Sequence, residues 1–360
     1  MRGGKNRQSW WLCATAPAGP PRPEGEPVAR FKSGRAVAYS PDMSLTSALD
    51  DRKGLVAGFF AERFPNVRPM QKEFRELMAR RPTIRPSAPG DAAVPWGTLG
   101  TAIDYRMRYY FAAYQPEVTV AALGLETFHE LADERWVELL AADFFASLDR
   151  VVTSSDPVGR RLPQRVEDAL NRHCYVLALL EQFYRVGPTV NSPLLALPEG
   201  AGVGEFLELA GPWLEDLRQL SWAFFRECGE LLARGHVLNP TFAGSGLIGG
   251  ADADFIVERC LVEVKTTIDP VLRSLLVYQL LGYVLLDFDD WFRLDEVAVY
   301  MSRQSLLVRW PLQPFMDALA GGPVNIPSVR QDFEGVVRDA KLAVSLADLL
   351  ASGRMVHLRR

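Results

Sequence analysis

Residues 249–267 constrain this chain more than any other stretch. They read Gly249-Gly250-Ala251-Asp252-Ala253-Asp254-Phe255-Ile256-Val257, then Glu258-Arg259, then Leu261-Val262-Glu263-Val264-Lys265-Thr266-Thr267 after Cys260. Two apolar, β-branched runs separated by a polar step predict two short strands. Side chains alternate faces along a strand, so Val262 and Val264 point one way while Glu263 and Lys265 point the other. Asp252 and Asp254 likewise share a face. If the runs pair as a hairpin, acids and a lysine converge at one edge of a sheet.

Those residue types suit one kind of chemistry. A hard cation such as Mg²⁺ takes oxygen ligands, one or two carboxylates plus waters and substrate phosphate. It acts as a Lewis acid and lowers the pKa of bound water. A neighbouring ammonium stabilises negative charge as it develops. In that reading Asp254 and Glu263 hold the metal and Lys265 serves the water and the phosphate. The competing reading is a surface hairpin whose charges are simply solvated. Acids and lysines decorate many outer strand faces, so the spacing alone leaves both open.

The next segment adds a second signal. Val271 to Asp287 reads as a helix, with Asp269 as its N-cap and Pro270 at its first position. It is mostly Leu and Val, with Gln279-Leu280-Leu281-Gly282-Tyr283 at its centre. Gln279 and Tyr283 are four residues apart and therefore share a helical face. An amide buried in such a helix without a partner costs about 1–3 kcal/mol, so Gln279 implies a polar neighbour. A solvated stripe is the alternative for this glutamine.

The order Asp254…Glu263-x-Lys265…Gln279-x-x-x-Tyr283 resembles the PD-(D/E)xK nuclease superfamily, and within it the RecB-like branch. The resemblance covers roughly residues 212–311 and rests on the combination, since each piece is short. It departs in placing Ala253, not Pro, before the first acid. By the resemblance, Asp254 matches the first metal acid, Glu263 the second and Lys265 the catalytic lysine, while Gln279 and Tyr283 match the helical motif. Asp252 competes with Asp254 for the first position. Asp254 is preferred because Phe255-Ile256-Val257 begins directly after it. The resemblance implies Mg²⁺ or Mn²⁺ as cofactor and nucleic acid as partner, DNA rather than RNA. It further implies a cytoplasmic protein of genome defence or repair, or else an inactive relative that binds nucleic acid or protein without cutting.

The surrounding pattern predicts an α+β fold with a restriction-endonuclease-like core: helix, three strands, helix, strand. A long amphipathic helix is predicted from Pro212 to Gly235, carrying Leu217, Leu220, Phe224, Phe225 and Leu231 at helical spacing. Val237–Phe242 supplies a first strand before the glycines at 244, 246, 249 and 250. Glu296–Met301 and Ser305–Trp310 supply two more, joined by Ser302-Arg303-Gln304. Glu227 and Glu230 on the long helix read as solvated residues in preference to an extra metal acid.

Residues 43–200 are predicted to be mainly helical, with 201–360 holding the nuclease-like core and C-terminal helices. Leu49, Val56, Phe59, Phe60 and Phe64 share one apolar face; Ile103, Met107, Tyr110 and Phe111 share another. Phe128–Leu148 forms one long amphipathic run, and Val176, Leu177, Leu180, Phe183 and Tyr184 mark a further helix. This half carries no motif of its own and no internal repeat.

Cys13, Cys174, Cys228 and Cys260 form no CxxC pair, which argues against a zinc ribbon or a disulfide framework. His129, His173, His236 and His357 show no metal spacing, and His173-Cys174 reads as helix packing. The longest apolar run, Leu275 to Leu286, is short of the ~20 residues that span a membrane. The net charge is −4, and residues 1–35, with seven Lys/Arg against two Glu, contribute +5, leaving −9 elsewhere. Nucleic-acid binders usually present basic surfaces. The clusters Lys72, Arg75, Arg80, Arg81, Arg85 and Arg160, Arg161, Arg165, Arg172 are the local candidates, though each reads as well as ordinary solvated helix charge.

Residues 1–42 are rich in Gly, Pro, Ala and Arg, show no period, and read as a flexible tail. The first clean helical pattern follows Met43-Ser44-Leu45-Thr46. Translation is therefore expected to begin at Met43. Peptides from residues 1–42 in the mass spectrum of the native protein would contradict this.

Overall fold

The computed structural model describes residues 44–87, 93–116, 119–131, 134–187 and 192–351. The expectations for residues 1–42 and for Met43 lie outside these. The protein is α+β, with a five-stranded mixed sheet among many helices.

Three helices lead: α1 (Leu45–Asp50), α2 (Leu55–Arg63) and α3 (Val67–Met78). A Ser44/Ser47 capping box starts α1, with the Ser47 N–H donating to Ser44 Oγ at 3.1 Å. Leu49 and Phe60, read as one face, fall on separate helices because residues 51–54 form a turn. Then come α4 (Trp96–Phe111), α5 (Val120–Leu131), α6 (Glu134–Ser155), α7 (Gln164–Val186) and the short α8 (Val203–Glu208). The run read as continuous from Phe128 to Leu148 is thus two helices, α5 and α6.

The second half alternates helix and sheet. It comprises α9 (Leu214–Cys228), β1 (His236–Leu238), β2 (Phe255–Val257), β3 (Cys260–Lys265) and α10 (Ser274–Leu286). It continues with β4 (Glu296–Met301), β5 (Leu306–Pro311), α11 (Leu312–Ala320) and α12 (Ile326–Ala351). The sheet order is β1-β2-β3-β4-β5, antiparallel except for β3 against β4. The parallel pair needs a crossover, and α10 provides it.

Three boundaries differ from expectation, each for a local reason. Helix α9 ends at Cys228, short of Gly235, because Gly229–Leu231 tightens into a 3₁₀ turn. Strand β1 stops at Leu238 because Asn239 adopts φ 47°, in the left-handed region; beyond it only Thr241 bridges Asp252. Helix α10 starts at Ser274, not Val271, and Asp269-Pro270 does not cap it. Instead the Thr267 hydroxyl accepts the Asp269 N–H at 3.1 Å, forming a turn that uses the residues expected to begin the helix.

The sheet is buried on both faces, and the period-2 alternation sorts its residues. Phe255, Val257, Cys260, Val262, Val264, Ala298 and Tyr300 pack with α4–α7 and α9. Ile256, Leu261, Val297, Val299 and Met301 pack with α1–α3, α10, α11 and α12. Two buried bidentate ion pairs tie helices to this frame. Arg106 on α4 meets Glu167 on α7 at 2.6 and 3.0 Å, and Arg303 after β4 meets Asp216 on α9 at 2.7 and 2.9 Å. Removing one partner of such a pair strands a buried charge and costs about 3–5 kcal/mol.

Helix α5 packs tightly on α7. A methyl group on Gly124 would stand 1.8 Å from the Leu180 carbonyl oxygen. Gly124→Ala is therefore expected to destabilise the protein by at least about 1–3 kcal/mol in chemical unfolding. Gly58 on α2 has nothing within 4 Å of the corresponding position. Gly58→Ala is expected to be neutral or to stabilise by up to about 1 kcal/mol.

Candidate active site

The β2–β3 hairpin builds the centre of the site. Its turn is Glu258-Arg259, with Glu258 at φ 56°. The last paired residues at the open end are Phe255 and Val262, so the next step outward sets Asp254 opposite Glu263. Residues directly opposite in antiparallel strands present their side chains on the same face. Asp254 is fixed there by its own Oδ2, which accepts the Val264 N–H at 2.6 Å. Its backbone carbonyl accepts the Asn239 N–H at 3.1 Å, linking the acid to the end of β1.

Lys265 ends β3 beside Glu263. Its Nζ donates to Glu263 Oε1 at 2.6 Å and to Gln279 Oε1 at 3.3 Å. Gln279 Nε2 donates in turn to the Tyr283 hydroxyl at 2.8 Å. Tyr283 stacks on Phe242, with ring centroids 5.7 Å apart. Gln279 is half-buried, and its polar neighbours are Lys265 and Tyr283. The one-turn spacing of Gln279 and Tyr283 makes them a continuous relay of hydrogen bonds from Glu263 into α10.

Burial dominates the electrostatics. The Asp254 carboxyl is pushed up to about 7 by burial and by the facing Glu263 carboxylate, against the opposing pull of Lys265 and the Val264 N–H. Glu263 is raised by burial, against the Lys265 ammonium, with Asp104 and Asp252 pushing it further up. Burial alone would lower Lys265, but Glu263 and Asp254 hold it above its ordinary value, so it stays an ammonium. Lys265 therefore carries a positive charge near neutral pH.

Asp254, Glu263 and Lys265 line a cavity of about 380 Å³, while Gln279 and Tyr283 lie behind Lys265, outside its lining. Asp252 is at its exposed rim, while Asp254 is deeper, opposite Glu263. Helix α4 contributes Trp96, Asp104 and Arg108 to the wall, and α7 contributes Glu181 and Arg185. The wall thus holds five acids (Asp104, Glu181, Asp252, Asp254, Glu263) against three bases (Arg108, Arg185, Lys265). Glu227 on α9 and Glu230 in the 3₁₀ turn that follows are exposed and are not part of it. The arginine clusters read from the sequence do not reach it either; Arg172 pairs with Glu208, and Arg161 lies over the Trp222 ring.

The α4 and α7 residues carried a signal that period alone does not show. Helix α4 is buried along most of its length, yet holds Asp104, Arg106 and Arg108 among Tyr105, Tyr109 and Tyr110. Charges in a helix with no solvated face must be paired or functional. Arg106 is paired with Glu167 on α7; Asp104 and Arg108 line the cavity.

A cation fits this donor set. Glu263 Oε2 is buried and has no hydrogen-bond partner, and an unpaired buried carboxylate oxygen is costly. With all five carboxyls ionised the wall would carry an excess of two negative charges, which one divalent ion would balance. Among the described residues no three His, Cys, Asp or Glu side chains are grouped closely enough to hold a metal together. Two carboxylates are what Mg²⁺ commonly takes from protein, with waters completing its shell. Asp254 and Glu263 would be those two.

No family model matches the sequence, and neither a curated protein nor a solved structure matches it.

The raised Asp254 carboxyl makes apo-protein stability pH-dependent. The folded chain holds this proton up to about 7, whereas the unfolded chain releases it near the ordinary 3.8. The resulting stability is present below the unfolded value and is lost as pH rises through about 7. In chelator, the wild-type thermal midpoint is expected to fall from about pH 5 to about pH 8 more steeply than that of Asp254→Asn, which cannot ionise. Asp254→Asn should also melt higher than wild type at the upper pH. Equal pH slopes would show that this carboxyl titrates normally.

Proposed function

We propose that this chain is a metal-dependent nuclease with a restriction-endonuclease-like core of the RecB-like kind, hydrolysing phosphodiester bonds in nucleic acid, DNA in preference to RNA. The observation that carries the reading is the placement of Asp254 directly opposite Glu263, with Lys265 bonded to Glu263 and Gln279 bonded to Lys265. The element order α9, β1, β2, β3, α10, β4 supports it, since it is the order that the sequence resemblance implies.

Asp254 and Glu263 would hold Mg²⁺ or Mn²⁺, which supplies Lewis acidity and a water of lowered pKa when bound. The Val264 N–H fixes Asp254 before any cation arrives, so little reorganisation is needed. Lys265 presents a permanent positive charge to the phosphate and to the attacking oxygen. Gln279, anchored by Tyr283, orients that ammonium. A fixed donor aimed at developing charge in a site shielded from water is worth about 10²–10³ in kcat.

A second reading, a nuclease-like fold that binds nucleic acid or protein without cutting, draws on one contact. Lys265 already occupies Glu263 Oε1, so a cation has to share that carboxylate with it. Activity measurements separate the two readings. With Mg²⁺ or Mn²⁺ the purified protein is expected to cut a nucleic acid, and excess chelator to abolish cutting. Lys265→Ala is expected to lower kcat by about 10²-fold or more while the protein stays folded, because Glu263 can take up a proton. Gln279→Leu should fold at least as well and lose up to about 10²-fold through misplacement of Lys265. Tyr283→Phe should act in the same direction but more weakly, its ring still stacked on Phe242. Cutting that survives chelation would reject the metal mechanism, and full activity in Lys265→Ala would reject the lysine's role.

A further inference from the structure

The frame that brings α4 to the open end of β3 brings one more carboxylate with it. Asp104 lines the cavity that holds Asp254 and Glu263, and its side chain is only 15% exposed. It is not placed there loosely. Arg108, one helical turn on, pairs with Asp104 and donates to the Tyr114 hydroxyl at 2.7 Å. The guanidinium lies over the Tyr105 and Tyr114 rings, 4.8 and 5.2 Å from their centroids. Tyr114 Oη accepts from Asn239 Nδ2 at 3.4 Å, and the Asn239 N–H bonds to the Asp254 carbonyl. The contacts that hold Asp104 therefore close back on Asp254.

The charges are coupled as well as the positions. Burial pushes Asp104 up to about 7 in spite of Arg108, and Asp254 pushes in the same direction. Asp104 in turn raises Glu263. Three acids that repel one another around a cavity would not by themselves mark a ligand. The independent observation is Glu263 Oε2, which has no partner and belongs to a side chain 6% exposed on the same wall. An orphaned carboxylate oxygen flanked by two further acids, with one ammonium beside it, lacks positive charge.

We propose that Asp104 is the third carboxylate of the cation site, supplied by the helical half of the chain and acting through the cation's water. This rests on the reading of Asp254 and Glu263 as the two direct ligands. No three acids among the described residues close on a single point, so Asp104 does not complete a ligand set. Mg²⁺ keeps several waters when protein-bound, and those waters donate hydrogen bonds. Asp104 is an acceptor for them, placed by Arg108. Groups that support ligands in this indirect way typically change metal affinity or activity by about 10–100-fold when lost. Asp104 is accordingly a positioning residue, and α4 is part of the site.

Mn²⁺ affinity measured by calorimetry on the full chain tests this without depending on turnover. Asp104→Asn is expected to weaken Mn²⁺ binding by about 10–100-fold, and Asp104→Glu to recover part of the loss. Because Asp104→Asn leaves Arg108 without its ion-pair partner, the double variant Asp104→Asn/Arg108→Gln removes both charges together and should show the same loss at near wild-type thermal stability. Wild-type Mn²⁺ affinity in a folded Asp104→Asn or in the double variant would overturn the proposal. Glu263→Gln, measured in parallel, separates it from the reading beneath it. If Glu263→Gln loses Mn²⁺ binding while the Asp104 variants keep it, only the role of Asp104 fails. If Glu263→Gln binds Mn²⁺ as wild type does, the direct-ligand assignment fails and this proposal with it.

Discussion

Two carboxylates face each other across an antiparallel register in a place where water is scarce, and the surrounding structure answers that strain. Asp254 and Glu263 are opposed because β2 and β3 pair with Phe255 against Val262. They are partly shielded from water because helices cover both faces of the sheet. One oxygen of Asp254 is satisfied by the Val264 N–H and one oxygen of Glu263 by Lys265. The rest of the mutual repulsion is stored as raised proton affinity, and as an oxygen of Glu263 with nothing to bond. Such an arrangement costs stability in the empty protein. On the proposed reading a bound cation would complete that charge.

Much of the fold was legible because it follows short periods. Alternation in Leu261-Val262-Glu263-Val264-Lys265 fixed which side chains share a face, and Glu258-Arg259 marked the turn. The helix bearing Gln279 was visible because its apolar residues leave one amide conspicuous. What was not legible came from backbone geometry that residue type only weakly implies. Asn239 could extend β1 as well as break it, and its left-handed conformation ended the strand. Asp269-Pro270 had the chemistry of a helix start, yet the Thr267 hydroxyl took the Asp269 N–H first. The division between α5 and α6 was hidden because apolar spacing continues across it.

The candidate site was legible in its hairpin and α10 half only. Asp254, Glu263, Lys265, Gln279 and Tyr283 lie within some thirty residues of sequence, so local pattern could group them. Asp104 and Arg108 are about 150 residues upstream, and only the tertiary packing of α4 against α7 and α9 brings them in. Their trace in the sequence was of another kind: charge inside a helix of aromatics with no polar face to spare. The buried Arg106–Glu167 pair shows why this trace is ambiguous, since the same pattern two residues away serves only to join helices.

The two acids that face each other belong to parts of the sheet that differ in stiffness. Glu263 and Lys265 sit on β3, an inner six-residue strand, where they pair with Val299 and Met301 of β4. Asp254 sits just outside β2, a three-residue strand whose outer neighbour β1 is equally short and forms the edge. Local opening is easiest at short edge elements and hardest in central strands. One jaw of the pair is thus an anvil and the other a leaf spring. On the proposed reading, ions of different radius would be met by a small bend at the Asn239–Asp254 end, while the lysine and its relay into α10 would keep their alignment.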